Sequence, residues 1–155
     1  MLRLSNGFSP TATKHNPLAP GAFAAITMNA PSEARPYRLT FQRFPEYLHV
    51  RVEGESDSYE LSMAYWGEIA AECTRLGTER VLVEEDIPAA VSYSDMYRIA
   101  AELPEHFLGI AIAFVDRHAD QAELNSFGEL VAQNRGVRGR YFNNPSEAEA
   151  WLIAQ

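Results

Sequence analysis

The chain has 155 residues, 46% of them hydrophobic and 11% aromatic, enough for one core that buries roughly two-thirds of the unfolded surface. No stretch approaches the ~20 apolar residues that cross a bilayer, which excludes an integral helical membrane protein. The formal charge is −8, and residues 1–32 hold Arg3 and Lys14 but no acid; the remainder, eleven basic residues against 21 acidic ones, stands at −10 and repels nucleic-acid phosphates.

Residues 1–36 are rich in Pro, Ala, Ser, Thr and Asn and show no periodicity. Such a segment has too few large apolar groups to offset its ordering entropy, which predicts a disordered arm, with Met28 as an alternative start. The folded domain is expected over residues 37–155. Its single cysteine, Cys73, forbids an internal disulfide and fits a reducing cytoplasm.

From Tyr37 the texture changes. Residues 37–44 and 47–53 alternate apolar and polar around Pro45-Glu46, the pattern of an antiparallel hairpin. Asp57-Ser58-Tyr59-Glu60 reads as a capping box in which the Asp57 side chain caps a helix. Tyr59, Met63, Trp66, Ile69 or Ala70, Cys73 and Leu76 follow at steps of three and four and form its buried stripe, and Gly77 ends it.

Next comes Arg80-Val81-Leu82-Val83-Glu84-Glu85-Asp86, a short β-branched run that stops in three acids. A strand buried on both faces has this composition. A second helix is predicted from Ser92-Tyr93-Ser94-Asp95 to about Phe107, with Ser92 or Ser94 as its N-cap. Asp95, Arg98, Glu102 and Glu105 make one narrow polar stripe on it. The remaining arc, Tyr93, Met96, Tyr97 and Phe107 among others, is wider than one sheet face needs, so this helix covers a cavity, contacts a partner or sits unusually deep.

Residues 108–115 form a second continuous apolar run and should be another interior strand. Asp120-Gln121-Ala122-Glu123 repeats the capping-box signature ahead of a helix that buries Leu124, Phe127 and Val131 and ends at Gly136. A last strand spans residues 137–142, and Asn144-Pro145-Ser146-Glu147 opens a terminal helix that buries Ala148, Trp151 and Leu152. Alternation of this kind predicts an α/β fold: a mostly parallel five-stranded sheet with four helices, the first strand antiparallel. Binding sites in such sheets lie beyond the carboxyl ends of the strands. That edge would gather residues 54–57, 84–94, 116–120 and 143–144.

Several segments together carry a family resemblance: the hairpin ending in Val-Glu-Gly, Glu-Cys-Thr-Arg-Leu-Gly, Val-Leu-Val-Glu, Gly-Ile-Ala-Ile-Ala-Phe-Val-Asp, Phe-Gly-Glu-Leu-Val-Ala-Gln-Asn-Arg-Gly and Glu-Ala-Glu-Ala-Trp-Leu. From Tyr37 onward the chain resembles the bacterial SpoIIAA-like proteins of the STAS superfamily. The resemblance implies a non-enzymatic regulatory domain. Anti-sigma-factor antagonists of this superfamily are switched by phosphorylation where the second helix begins, which by position implies Ser92 and Ser94 and a protein partner. The sequence there reads Val91-Ser92-Tyr93-Ser94-Asp95, and either serine also serves as a plain N-cap. The SpoIIAA-like branch is similar in fold to CRAL-TRIO lipid-carrying domains, which implies a small hydrophobic ligand or a membrane surface. Tyr93, Met96, Tyr97 and Phe107 are then the expected ligand-binding residues.

Two further readings stay open. The same helix, with Tyr93 and Tyr97, would serve as a contact face in a homodimer. Alternatively, Asp116-Arg117-His118-Ala119-Asp120 with Glu84, Glu85 and Asp86 offers the carboxylates of a metal-dependent enzyme. No residue pattern assigns a cofactor, a resident metal or a catalytic group, and charged strand-end loops serve solubility as well.

Overall fold

Alternation sets the first two strands, as the hairpin pattern predicts. The computed structural model describes residues 34–155, so the arm expected at 1–36, including Met28, lies outside the described residues except for 34–36. Strands β1 (Tyr37–Arg43) and β2 (Leu48–Gly54) pair antiparallel, and the Phe44 amide donates to the Tyr47 carbonyl at 2.9 Å to close the turn. On β2, Leu48, Val50 and Val52 face the core, while His49, Arg51 and Glu53 face the other way.

Strand β3 (Arg80–Asp86) adds parallel to β2, β4 (Ala111–Asp116) parallel to β3, and β5 (Arg138–Phe142) parallel to β4, in the order β1-β2-β3-β4-β5. The fold is therefore the expected mostly parallel α/β sheet with one antiparallel edge strand. Right-handed crossovers that always step the same way place their helices on one face. Helices α1 (Tyr59–Leu76), α2 (Tyr93–Glu102) and α3 (Ala122–Asn134) accordingly share a core with Val81, Val83 and Ile112. On the opposite face α4 (Pro145–Ile153) buries Ala148 and Leu152 against Leu82 and Ala113.

Several local expectations change. Ser58, not Asp57, caps α1: its Oγ accepts from the Leu61 amide at 3.1 Å, and the Asp57 carboxylate turns inward instead. Asp120 caps nothing, because residues Ala119–Gln121 form a 3-10 turn and α3 starts without a side-chain cap. Helix α2 stops at Glu102 and passes into a 3-10 turn at Leu103–Glu105, since Pro104 has no amide to continue the ladder. Strand β4 begins at Ala111 rather than Leu108, which is exposed beside Gly109, a left-handed residue with φ 76°. The N-caps of α2 and α4 form as read, whereas α3 ends at Asn134 with Arg135, not Gly136, as its cap. Ser92 Oγ accepts from the Asp95 amide at 3.1 Å, and Asn144 Oδ1 accepts from Ser146 and Glu147.

Candidate functional site

Period-two alternation on the central strands decides which acids point where. Glu85 follows Val81 and Val83 onto the α1–α3 face, and Asp116 follows Ile112 and Phe114 onto the same face. Glu84 and Asp86 point away from it. Both inward acids are buried, as is Tyr65, which projects from α1 toward the same strand ends.

Beneath α2, Glu85 and Tyr65 help close one end of a cavity of about 90 Å³. Its body is walled by Trp66, Met96, Ile99, Ala100, Ile112 and Phe114, and its polar end by Asp57, Ser62, Tyr65, Glu85, Gln121 and Asn125. Gly128 on α3 forms part of the wall for a steric reason: a Cβ there would lie 2.6 Å from Met96 Sδ, so any larger residue would have to displace the thioether from its place between the two helices. A second hollow of about 360 Å³ lies between the hairpin turn and the end of α1, among Arg43, Glu46, Glu79 and Arg80. It is polar and carries no organised set of side chains.

The polar end is a connected network. Asp57 is held by a bridge between its neighbour Ser56 and Ala89 and by its own amide, which donates to the Ala89 carbonyl at 2.9 Å. Its Oδ2 accepts from Ser62 Oγ at 2.7 Å and from Tyr65 Oη at 2.9 Å, and its Oδ1 from the Ser58 amide at 2.7 Å. Tyr65 Oη also lies 3.0 Å from Glu85 Oε2. A phenol has one proton and cannot donate to both carboxyls. Glu85 supplies the second proton: burial, with the charges of Asp57 and Asp116 nearby, pushes its pKa up to about 8, so it is neutral at pH 7. The chain runs Glu85 to Tyr65 to Asp57, each hydroxyl donating to the next oxygen.

Burial also raises the Asp57 carboxyl, against the hydrogen bonds from Ser62, Tyr65 and Ser58. Burial raises Asp116 as well, although its oxygens accept from the His118 amide at 2.8 Å and Asn125 Nδ2 at 2.7 Å. The Tyr65 phenol is driven well above its ordinary value by burial and by the adjacent acids. Gln121 Nε2 donates to the Ile87 carbonyl at 2.8 Å and so fixes the loop between β3 and α2 over the cavity mouth.

The sequence-predicted positions are divided by this geometry. Met96 lines the cavity. Phe107 is fully buried in the neighbouring core, its ring 5.5 Å from and perpendicular to Trp66. Tyr93 and Tyr97 lie outside the cavity, 55% and 47% exposed, Tyr93 tilted against Phe127 and Tyr97 accepting from Arg135 at 2.7 Å. Ser92 and Ser94 stand at the exposed start of α2 with their hydroxyls 3.1 Å apart. Tyr65 and Ser62, which help hold the polar end together, are absent from the sequence-derived site, and Asp57 enters it only as the last residue of the strand-end segment 54–57.

The strand-end acids do not assemble into one centre. Glu84 pairs with Arg117 at 2.8 Å and His49 at 3.1 Å; Asp86 pairs with Arg51 at 3.3 Å and His118 at 3.0 Å. Among the described residues no group of three or more His, Cys, Asp or Glu side chains has the geometry of a metal site. Nor is any described helix long and apolar enough to cross a membrane.

No family model matches the chain, and no curated protein matches it. Among solved structures it is similar to an anti-sigma factor antagonist from Mycobacterium paratuberculosis, with a TM-score of 0.49 and 12% identity, covering 75% of this chain and 93% of that one.

Proposed function

We propose that residues 34–155 act as a non-enzymatic binding domain that takes a small, mainly apolar molecule into the cavity beneath α2. One observation carries the reading: a void of about 90 Å³ with apolar side chains along its body and buried hydrogen-bonding groups at one end. That is the make-up of a small-molecule site. Volume sets the ligand's size. An apolar cavity of about 150 Å³ accepts benzene, so this one takes roughly four heavy atoms before its walls move. Met96 gives it room to widen, because an unbranched thioether repacks at little cost. A long acyl chain or a membrane-inserted mode requires α2 itself to lift. Thermal-shift measurements against a panel of small apolar and amphiphilic compounds test the reading: saturable stabilisation by one chemical class supports it, and a flat response across the panel refutes it.

A second reading, a protein-interaction face on α2 and α3, is favoured by the exposure of Tyr93, Tyr97 and Leu130, the last 56% exposed. Ser92 and Ser94 are where a phosphate would alter that face. Size-exclusion chromatography across a dilution series, with Tyr97→Ser as the comparison, checks it: concentration-dependent association abolished by the substitution is the expected result.

A further inference from the structure

Resting on the cavity reading above, we propose that the ligand is a small primary amine, bound as its ammonium ion against Glu85 and Asp57, with its hydrocarbon part among Trp66, Met96 and Phe114. The polar end is acidic and uncompensated. Asp57 and Glu85 line it and Asp116 lies behind them, yet no arginine, lysine or histidine side chain among the described residues forms an ion pair with any of the three. The nearby cations are engaged elsewhere: Arg117 on Glu84, Arg51 and His118 on Asp86. Arg140 contributes to the wall, but its guanidinium lies 5.1 Å over the Phe142 ring, which belongs to the core under α4. Glu129, the remaining acid on the wall, accepts from the Tyr141 amide.

Glu85 is the group that points to a ligand. It is 7% exposed and lines the cavity, and among the described residues its side-chain hydrogen bond runs through Oε2 to Tyr65, with none recorded at Oε1. A buried carboxyl in that position strongly selects among ligands by charge. A carboxylate is repelled by the charge of Asp57, and by Glu85 once it ionises. A neutral alcohol gains hydrogen bonds and no charge interaction. An ammonium brings three donors and the missing positive charge, and charge-assisted hydrogen bonds are about twice as strong as neutral ones. The proton balance is simple: the ammonium keeps its three protons, Glu85 releases its one to solvent, and the Tyr65 proton remains between the two carboxylates.

The test uses the full chain and three probes of similar size, n-propylamine, 1-propanol and propionate, titrated by NMR at about pH 6 and about pH 8.5. Because binding releases the Glu85 proton, amine affinity should rise at least tenfold from the lower to the higher pH, while propanol affinity stays level. At about pH 8.5 the amine should bind at least tenfold more tightly than propanol, and propionate should not bind. Glu85→Gln should remove the pH dependence and weaken the amine preference, Asp57 alone remaining to hold the ammonium; the wild-type pH profile decides the matter should that variant not fold. Propanol binding as tightly as the amine, or amine affinity indifferent to pH, overturns this inference and leaves the cavity reading intact. Failure of all three probes to bind overturns both.

Discussion

Replacing Glu85 with glutamine tests the buried network through stability alone. In the folded protein Glu85 holds its proton up to about pH 8, against an ordinary value of 4.5, so between those limits the native state binds a proton that the unfolded chain has lost. Stability from this group is full below about pH 4.5, falls as pH rises, and is gone above about pH 8. A shift of three to four pKa units at about 1.4 kcal/mol each amounts to roughly 4–6 kcal/mol, a large part of the total stability of a domain this size. Asp57 and Asp116, both raised by burial, act in the same direction. Glu84 acts oppositely, because Arg117 and His49 together outweigh its burial and lower its pKa, but its contribution is lost only on acidification below the ordinary glutamate range. The amide introduced by Glu85→Gln donates to Tyr65 as the neutral acid does, so the variant should fold and lose most of the slope. Urea denaturation at several values between about pH 5 and 8.5 measures the difference. Parallel pH profiles for wild type and variant would refute the assignment of a neutral, buried Glu85.

Three other outcomes follow from single groups. Tyr65→Phe removes the hydroxyl that joins Asp57 to Glu85 and should cost about 1–3 kcal/mol by leaving buried carboxyl oxygens unpaired, read as a lower urea midpoint. Ser92→Ala deletes the α2 cap and should cost about 1 kcal/mol, whereas Ser92→Asp, which keeps an acceptor for the Asp95 amide, should cost less; equal losses would contradict the cap. Cys73 is fully buried and its thiol is pushed up to about 12 by burial and by Glu72, so a thiol-specific reagent should label it only at the rate of unfolding. Rapid labelling of the native protein would contradict its burial.

Much of the architecture was legible because the signals are local. The β2 alternation, the apolar runs of β3 and β4, Gly77 at the end of α1 and Asn144-Pro145 at the start of α4 each specify one element by backbone chemistry that tertiary packing reinforces. Caps failed for separate reasons: Asp57 is drawn into the network with Ser62 and Tyr65, and a 3-10 turn at Ala119–Gln121 intervenes between Asp120 and α3. The site was half legible. A wide apolar arc on α2 is consistent with a cavity beneath it, and Met96 lines that cavity, but Tyr93 and Tyr97 turn outward because amphipathic rings are stable at the surface with a polar partner such as Arg135. The polar end escaped notice because Ser62 and Tyr65 look like ordinary helix residues and Glu85 like one of three solubilising acids. Two periodicities would have revealed it: Glu85 shares the face of Val81 and Val83, and Ser62 and Tyr65 sit one turn apart on the buried side of α1.

The central claim is that the space beneath α2 is a binding site, and the Met96 methyl group reports on it most directly. Met96 borders the cavity, whereas Met63 packs on the same core without lining it. With methyl-labelled methionine, titrating n-propylamine at about pH 8.5 should shift the Met96 resonance saturably and leave Met63 unmoved, and Gly128→Ala, whose Cβ displaces Met96 Sδ, should weaken the response. An unmoved Met96 resonance at saturating amine, or equal shifts at Met96 and Met63, would contradict the account.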